Sequence, residues 1–276
     1  MASMTDLVSE GLKYPFNDPK RLVSFGVLFA LLNLVSLGIT EKSVDIVRVF
    51  GNTSGNSFIL KISQLPATDT YVFALLGVLS FIIILLIMGY LYSVIKFSIE
   101  RKSELPGFDD VLRLLINGAK YFIVTLAYNI IPVIVFLVGM YTVGLYYNGD
   151  YLIVILTSIL FIICNFLLIM ALANMIATDK LSDAFAFKDI TGKISNLGWV
   201  KYIGIIIFIL IVYMIITVAL GLVMTLLTAA LAIAVNNAMI VSAIIAIIEG
   251  LFISPYLSVF FSRAMGSIYN EARSPE

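Results

Sequence analysis

The chain has 276 residues, 61% of them apolar and only 12% charged, with a mean hydropathy of +1.09. Soluble globular domains do not have this composition, which places the chain in a lipid bilayer. Seventeen basic and seventeen acidic residues cancel, which removes the positive field that nucleic-acid binding needs. There is no His and only one cysteine, Cys164, so disulfides, thiolate metal sites and Ser-His or Cys-His dyads are excluded.

Taken in chain order, the first predicted element is a short amphipathic helix in which Leu7, Val8, Gly11 and Leu12 oppose Asp6, Glu10 and Lys13, ended by Pro15. Hydrocarbon about 30 Å thick takes about 20 helical residues. Six runs meet that length: Leu22–Ile39, Tyr71–Ile95, Tyr121–Tyr147, Tyr151–Ala177, Tyr202–Val235 and Ala238–Ser262. The first reads as a retained signal anchor, since no small-residue cleavage pattern follows it.

Between the first two runs lies an outer loop, residues 40–70. Its β-branched stretches Ser43–Phe50 and Ser57–Ser63 flank a Gly-Asn-rich turn and predict a small β-hairpin. Asn52-Thr-Ser54 in that turn matches a glycosylation acceptor. After the second run, Pro106–Lys120 reads as a helix lying on the inner surface, with Asp110, Arg113, Asn117 and Lys120 on one polar stripe. Asp183–Leu197, between the fourth and fifth runs, has the same character, with Phe187, Ile190, Ile194 and Leu197 at helical spacing. As straight helix the fifth run would measure about 50 Å. It must therefore tilt, bend or stop, so residues 225–237 either lie at the far surface or continue the helix.

Lys and Arg set the orientation. Fourteen fall on the side of the N-terminus and three on the other, which places both termini in the cytoplasm. The three inner helices lead into crossings through similar junctions: Gly11-Leu-Lys13-Tyr14, Gly118-Ala-Lys120-Tyr121 and Gly198-Trp-Val-Lys201-Tyr202. The expected architecture is therefore an all-α integral membrane protein forming one membrane domain, residues 1–276. Its units, 5–95, 105–177 and 183–262, are each a cytoplasmic interfacial helix followed by a membrane hairpin, in a parallel pseudo-threefold repeat.

Glu249 is the one charged residue inside the six runs and sits near the middle of the last. An ionised carboxylate there costs several kcal/mol, about 3 on insertion scales, so the residue should face other helices or a water-filled space. It reads either as a proton- or cation-responsive site or as a neutral hydrogen-bonding link between helices. Pro132 and Pro255 each remove a backbone donor, freeing the carbonyls of Tyr128 and Leu251. Asn129, Gly250 and Ser254 stand beside these breaks, which are read either as kinks satisfied by neighbouring helices or as the surroundings of a solute site. Asn33, Asn165 and Asn174 fit interhelical hydrogen bonds. No acidic cluster offers metal ligands.

Lys13-Tyr-Pro-Phe-Asn-Asp18, Met88-Gly-Tyr90, Glu104-Leu-Pro-Gly-Phe-Asp-Asp110, Asp183-Ala-Phe-Ala-Phe187 and Ile268-Tyr269 resemble a family of uncharacterised prokaryotic, largely archaeal, membrane proteins. The resemblance implies a cell-membrane location and six crossings, and it supplies no catalytic or ligand residues. The layout is more loosely similar to the membrane domain accompanying some bacterial glycerophosphodiester phosphodiesterases, whose hydrolase residues have no counterparts here. The expected function is non-enzymatic transport or accommodation of a small or lipidic molecule, with Glu249, Asn129, Tyr128 and Ser254 as ligand or proton-site candidates. The alternative is a structural or accessory subunit of a membrane complex. Expected partners are membrane lipids and a membrane protein or second copy of the chain, with no cofactor, metal or nucleic acid.

Overall fold

A computed structural model describes residues 4–50, 67–144 and 150–273, and every regular element among them is helical. In chain order these are α1 (Met4–Lys13), a 3₁₀ turn (Tyr14–Asn17), α2 (Pro19–Phe50), α3 (Ala67–Ile99), α4 (Val111–Gly139) and a π-turn (Met140–Gly144). There follow α5 (Asp150–Thr178), a 3₁₀ turn (Leu181–Phe185), α6 (Phe187–Leu197), α7 (Trp199–Ala234), α8 (Ala238–Ile248), a second π-turn (Glu249–Ile253) and α9 (Ser254–Arg273). Six stretches are long and apolar enough to cross a membrane: Pro19–Thr40, Thr70–Ile99, Val111–Thr142, Tyr151–Thr178, Trp199–Ala234 and Ala238–Arg273. These are the six runs of the sequence, lengthened mainly where helices continue past the oily core.

Three expectations are corrected. Ser43–Phe50, expected as the first arm of a hairpin, continues α2 as helix, because propagating an existing helix needs no new nucleus whereas a lone hairpin is marginal. The second arm, Ser57–Ser63, and Asn52 lie outside the described residues. The expected inner helix Pro106–Lys120 does not form separately. Residues 106–110 are irregular, Asp110 caps the next helix by accepting from the Arg113 N–H at 2.9 Å, and α4 then runs unbroken from Val111 past both Gly118 and Pro132. The second unit thus lacks an interfacial helix of its own, whereas α1 and α6 occur as expected. The three Gly-Lys-Tyr junctions also differ: Gly11 lies inside α1, Gly118 inside α4, and only Gly198, at φ +90°, separates two helices. Of the two paths left open for residues 225–237, the helix continues to Ala234 before Asn237 caps α8.

Hydrophobic burial does not drive helix association within lipid, so close backbone packing and hydrogen bonds carry that task. Gly89 and Gly118 let α3 and α4 touch: a Cβ on either would stand 1.9 Å from the carbonyl oxygen of Leu114 or Leu85 on the facing helix. A second reciprocal contact joins α2 to the π-turn, where Cβ atoms on Gly26 and Gly250 would fall 2.3 Å from Leu251 O and 2.4 Å from Ala30 Cα. Pro255 explains this contact, since it offers no N–H to Leu251. The backbone widens into the π-turn, the Ser254 N–H reaches back to Glu249 O, and the Leu251 carbonyl is pressed against the bare backbone of Gly26.

α9 is the central element. It packs against α1, α2, α3, α5, α6 and α7, and its residues from Leu257 to Ala272 are mostly buried. Phe25, Tyr90 and Phe108 form a stack, with ring centroids 4.1 and 4.7 Å apart, that fastens the 100–110 connection to α2 and α3. α1, the later part of α9, the 100–110 connection and residues 179–186 gather at one end of the bundle, where most of the fully buried side chains lie.

Gly118→Ala places a Cβ against the Leu85 carbonyl and lowers stability by about 1–3 kcal/mol, the usual cost of overpacking. Gly192→Ala, with open space around its Cβ, is neutral or stabilising by up to about 1 kcal/mol. Melting of the two purified variants in detergent checks both.

Candidate functional site

α5 and α7 diverge from a shared anchor at one end of the bundle. Tyr202, fully buried, donates to the Phe166 carbonyl at 2.6 Å, and beyond that point the two helices make almost no direct contact. The gap is a cavity of about 640 Å³, walled by α4 and α5 on one side and α7 on the other, with Phe261 and Met265 of α9 at its back. Phe161, Phe166, Leu172, Ile206 and Leu210 make it chiefly apolar. Its polar groups are Tyr121, Thr125 and Asn165. The Thr125 hydroxyl is shielded from solvent and has no hydrogen-bond partner, a costly state for an oxygen in an apolar wall. An apolar pocket with a few convergent polar groups is the usual form of a small-molecule site.

The predicted candidates do not converge. Asn129 does belong beside this cavity: its Nδ2 donates to Thr125 O at 2.8 Å, and its Oδ1 accepts from Asn165 Nδ2 at 3.1 Å. Tyr128 is buried in packing and donates to Ala184 O at 2.8 Å. Ser254 closes the π-turn. Glu249 lies elsewhere, exposed from the protein along a groove between α2, α7 and α8. Pro132 passes through α4 without interrupting it, whereas Pro255 accompanies the break at Glu249–Ile253. Asn33 makes the expected interhelical link, to Ala246 O at 3.0 Å, whereas Asn174 donates to Asp183 O in the 3₁₀ turn at 2.9 Å and accepts from Tyr269 of α9 at 3.1 Å. Among the described residues no group of His, Cys, Asp and Glu is arranged to hold a metal.

Sequence reasoning missed the polar cluster at the gathered end. Arg263, only 5% exposed, donates from Nε to Glu10 at 2.9 Å and from a terminal nitrogen to Lys102 O at 2.6 Å, and lies 4.3 Å over the Tyr14 ring. Tyr14 donates to Glu104 O at 2.7 Å. Burial pushes its phenol up to about 12, against the opposing pull of Arg263. Asp179 accepts from Lys120 at 2.9 Å and Tyr92 at 2.8 Å, and these two bonds hold its carboxyl below the usual range. The cluster fixes connections and leaves no room for a substrate. The available signal was Arg263 immediately after an apolar run, where a long side chain folds back on the protein as readily as it reaches headgroups.

The fold and cavity together define an all-helical multi-pass membrane protein with a pocket opening sideways between two of its spans. A family profile described as "Protein of unknown function (DUF4013)" matches residues 72–225, and the chain belongs to that family. No curated protein and no solved structure matches it. The matched segment carries every cavity-lining residue except Phe261 and Met265.

Two outcomes follow. Below pH 10 Tyr14 is neutral in folded and unfolded chains, and its contribution is lost as pH rises from 10 toward 12, by up to about 3 kcal/mol. Alkaline melts of wild type therefore fall faster than those of Tyr14→Phe. Asn165→Leu removes the link to Asn129 and costs about 0.5–2 kcal/mol, read as a lowered melting temperature.

Proposed function

We propose that the protein accommodates an amphiphilic, lipid-like molecule between α5 and α7 within a prokaryotic cell membrane, without chemical conversion. The observation that carries this reading is the sideways cavity of about 640 Å³, apolar except near Tyr121, Thr125 and Asn165. A pocket facing the bilayer receives molecules already dissolved there. Its apolar walls take an acyl or prenyl chain, and Asn165 in the lining offers a hydrogen bond to a polar link such as an ester or hydroxyl. Binding without conversion is supported by a lining that, among the described residues, offers no paired base and nucleophile. The asymmetry of basic residues supports a cytoplasmic side for the gathered end.

Native mass spectrometry of the protein released from its own membranes tests the reading. Wild type should carry a stoichiometric lipid-like adduct. Leu210→Trp, which fills the cavity from a side chain already exposed on α7, should lose that adduct while melting normally. Identical adducts on both proteins would discard the proposal, and a retained protein subunit without lipid would favour an accessory role in a complex.

A further inference from the structure

A second recess, separate from the α5–α7 cavity, encloses about 330 Å³ between α2, α7 and α8. Asn33, Ser36 and Thr40 reach it from one face of α2, Thr228 from α7, and Ser242 and Glu249 from the α8 side. On its inner side, toward the gathered end, it stops at the tight contacts of Gly26 with Leu251 and Gly250 with Ala30. It is a blind polar groove within helices otherwise suited to lipid.

Its hydrogen bonds have one sign. Ser36 donates to Leu32 O at 2.8 Å, Thr40 to Ser36 O at 2.9 Å and Thr228 to Met224 O at 2.7 Å. Asn33 gives its amide to Ala246 O at 3.0 Å. With these hydrogens committed to backbone, what the side chains have left to offer is mostly acceptor lone pairs. The Glu249 carboxyl group joins them, and among the described residues its side chain has no ion pair or hydrogen bond. Polar acceptors facing hydrocarbon are costly unless a donor meets them.

From this arrangement we infer a binding site for a primary alkylammonium group, its three N–H donors shared between Glu249 and the nearest acceptors among Asn33, Ser36 and Ser242, and its alkyl chain along Leu37 and Ile245. A bare metal ion fits less well, because it takes six or more oxygens around one point, whereas an ammonium is satisfied by three acceptors. An ammonium on a chain suits an elongated groove, its charged head beside Glu249 and its chain along the apolar walls.

The probe is n-hexylammonium, titrated against the full-length protein in phosphatidylcholine nanodiscs by saturation-transfer NMR. Saturable binding is expected, weakened about tenfold or more by Glu249→Gln, the usual worth of a hydrogen bond to a charged group. The neutral isostere n-hexanol should bind at least about tenfold more weakly than the amine, by the same reasoning. Ser242→Val, at an exposed position, should also reduce amine binding and keeps the test valid if Glu249→Gln fails to fold. Adding phosphatidylethanolamine identifies the natural source: displacement of the probe assigns the groove to an aminolipid, and lack of displacement to a free amine. Absence of saturable binding, equal binding of hexanol, or wild-type affinity in both variants would overturn the inference. None of these results bears on the α5–α7 cavity, which Leu210→Trp tests separately.

Discussion

Backbone pressed on backbone is the constraint from which the rest of this structure follows. In water a helix bundle is held by removing oily faces from solvent, but these helices display oily faces to lipid on nearly every side. What remains is close approach, and Gly89 with Gly118, Gly26 with Leu251 and Gly250 with Ala30 supply it at two crossings. The first fixes α3 against α4 and so places the wall from which Tyr121 and Thr125 reach the cavity. The second fixes α2 against the π-turn and so closes the groove beside Glu249. The groove begins where this second contact ends, while the α5–α7 cavity begins beyond the Tyr202–Phe166 hydrogen bond.

The gathered end works by different physics. There buried polar groups are matched one by one, with Arg263 joining α9 to α1 and to the 100–110 connection. Arg263 is buried while Glu10 reaches the surface, and removing its partners would leave the guanidinium unpaired inside, so the cluster holds the connections in one arrangement. Ser98 extends it by donating to Arg263 O at 2.7 Å, while its own carbonyl accepts from Asn270 at 3.0 Å. A helix carrying Arg263, Glu271 and Arg273 can therefore remain central to the bundle at that end.

The crossings were legible because length and hydropathy are enough to identify a membrane helix. Contacts between helices were not, because they depend on rotation about each helix axis, and an almost uniformly apolar segment such as α7 carries no periodic signal of its buried face. Gly118 illustrates the difficulty. Beside Lys120 and Tyr121 it looks like a junction, and only the facing carbonyl of Leu85 reveals it as a packing point. Asn129 and Asn165 were visible as polar residues in oily runs, but their pairing required the separation of α4 and α5 in space. Glu249 stood out by charge alone, and its neighbours on α2 and α7 come from parts of the sequence far removed from it.

α7 joins α6 through Gly198, whose positive φ is open to glycine and strained for other residues. The helix has 36 residues and so measures about 54 Å. Swinging such a rod about Gly198 by about 5° carries its tip sideways by about 5 Å, roughly the width of a hydrocarbon chain, with the rise per residue setting the lever arm. Small torsional changes at one glycine thus translate into the width of the doorway between α5 and α7.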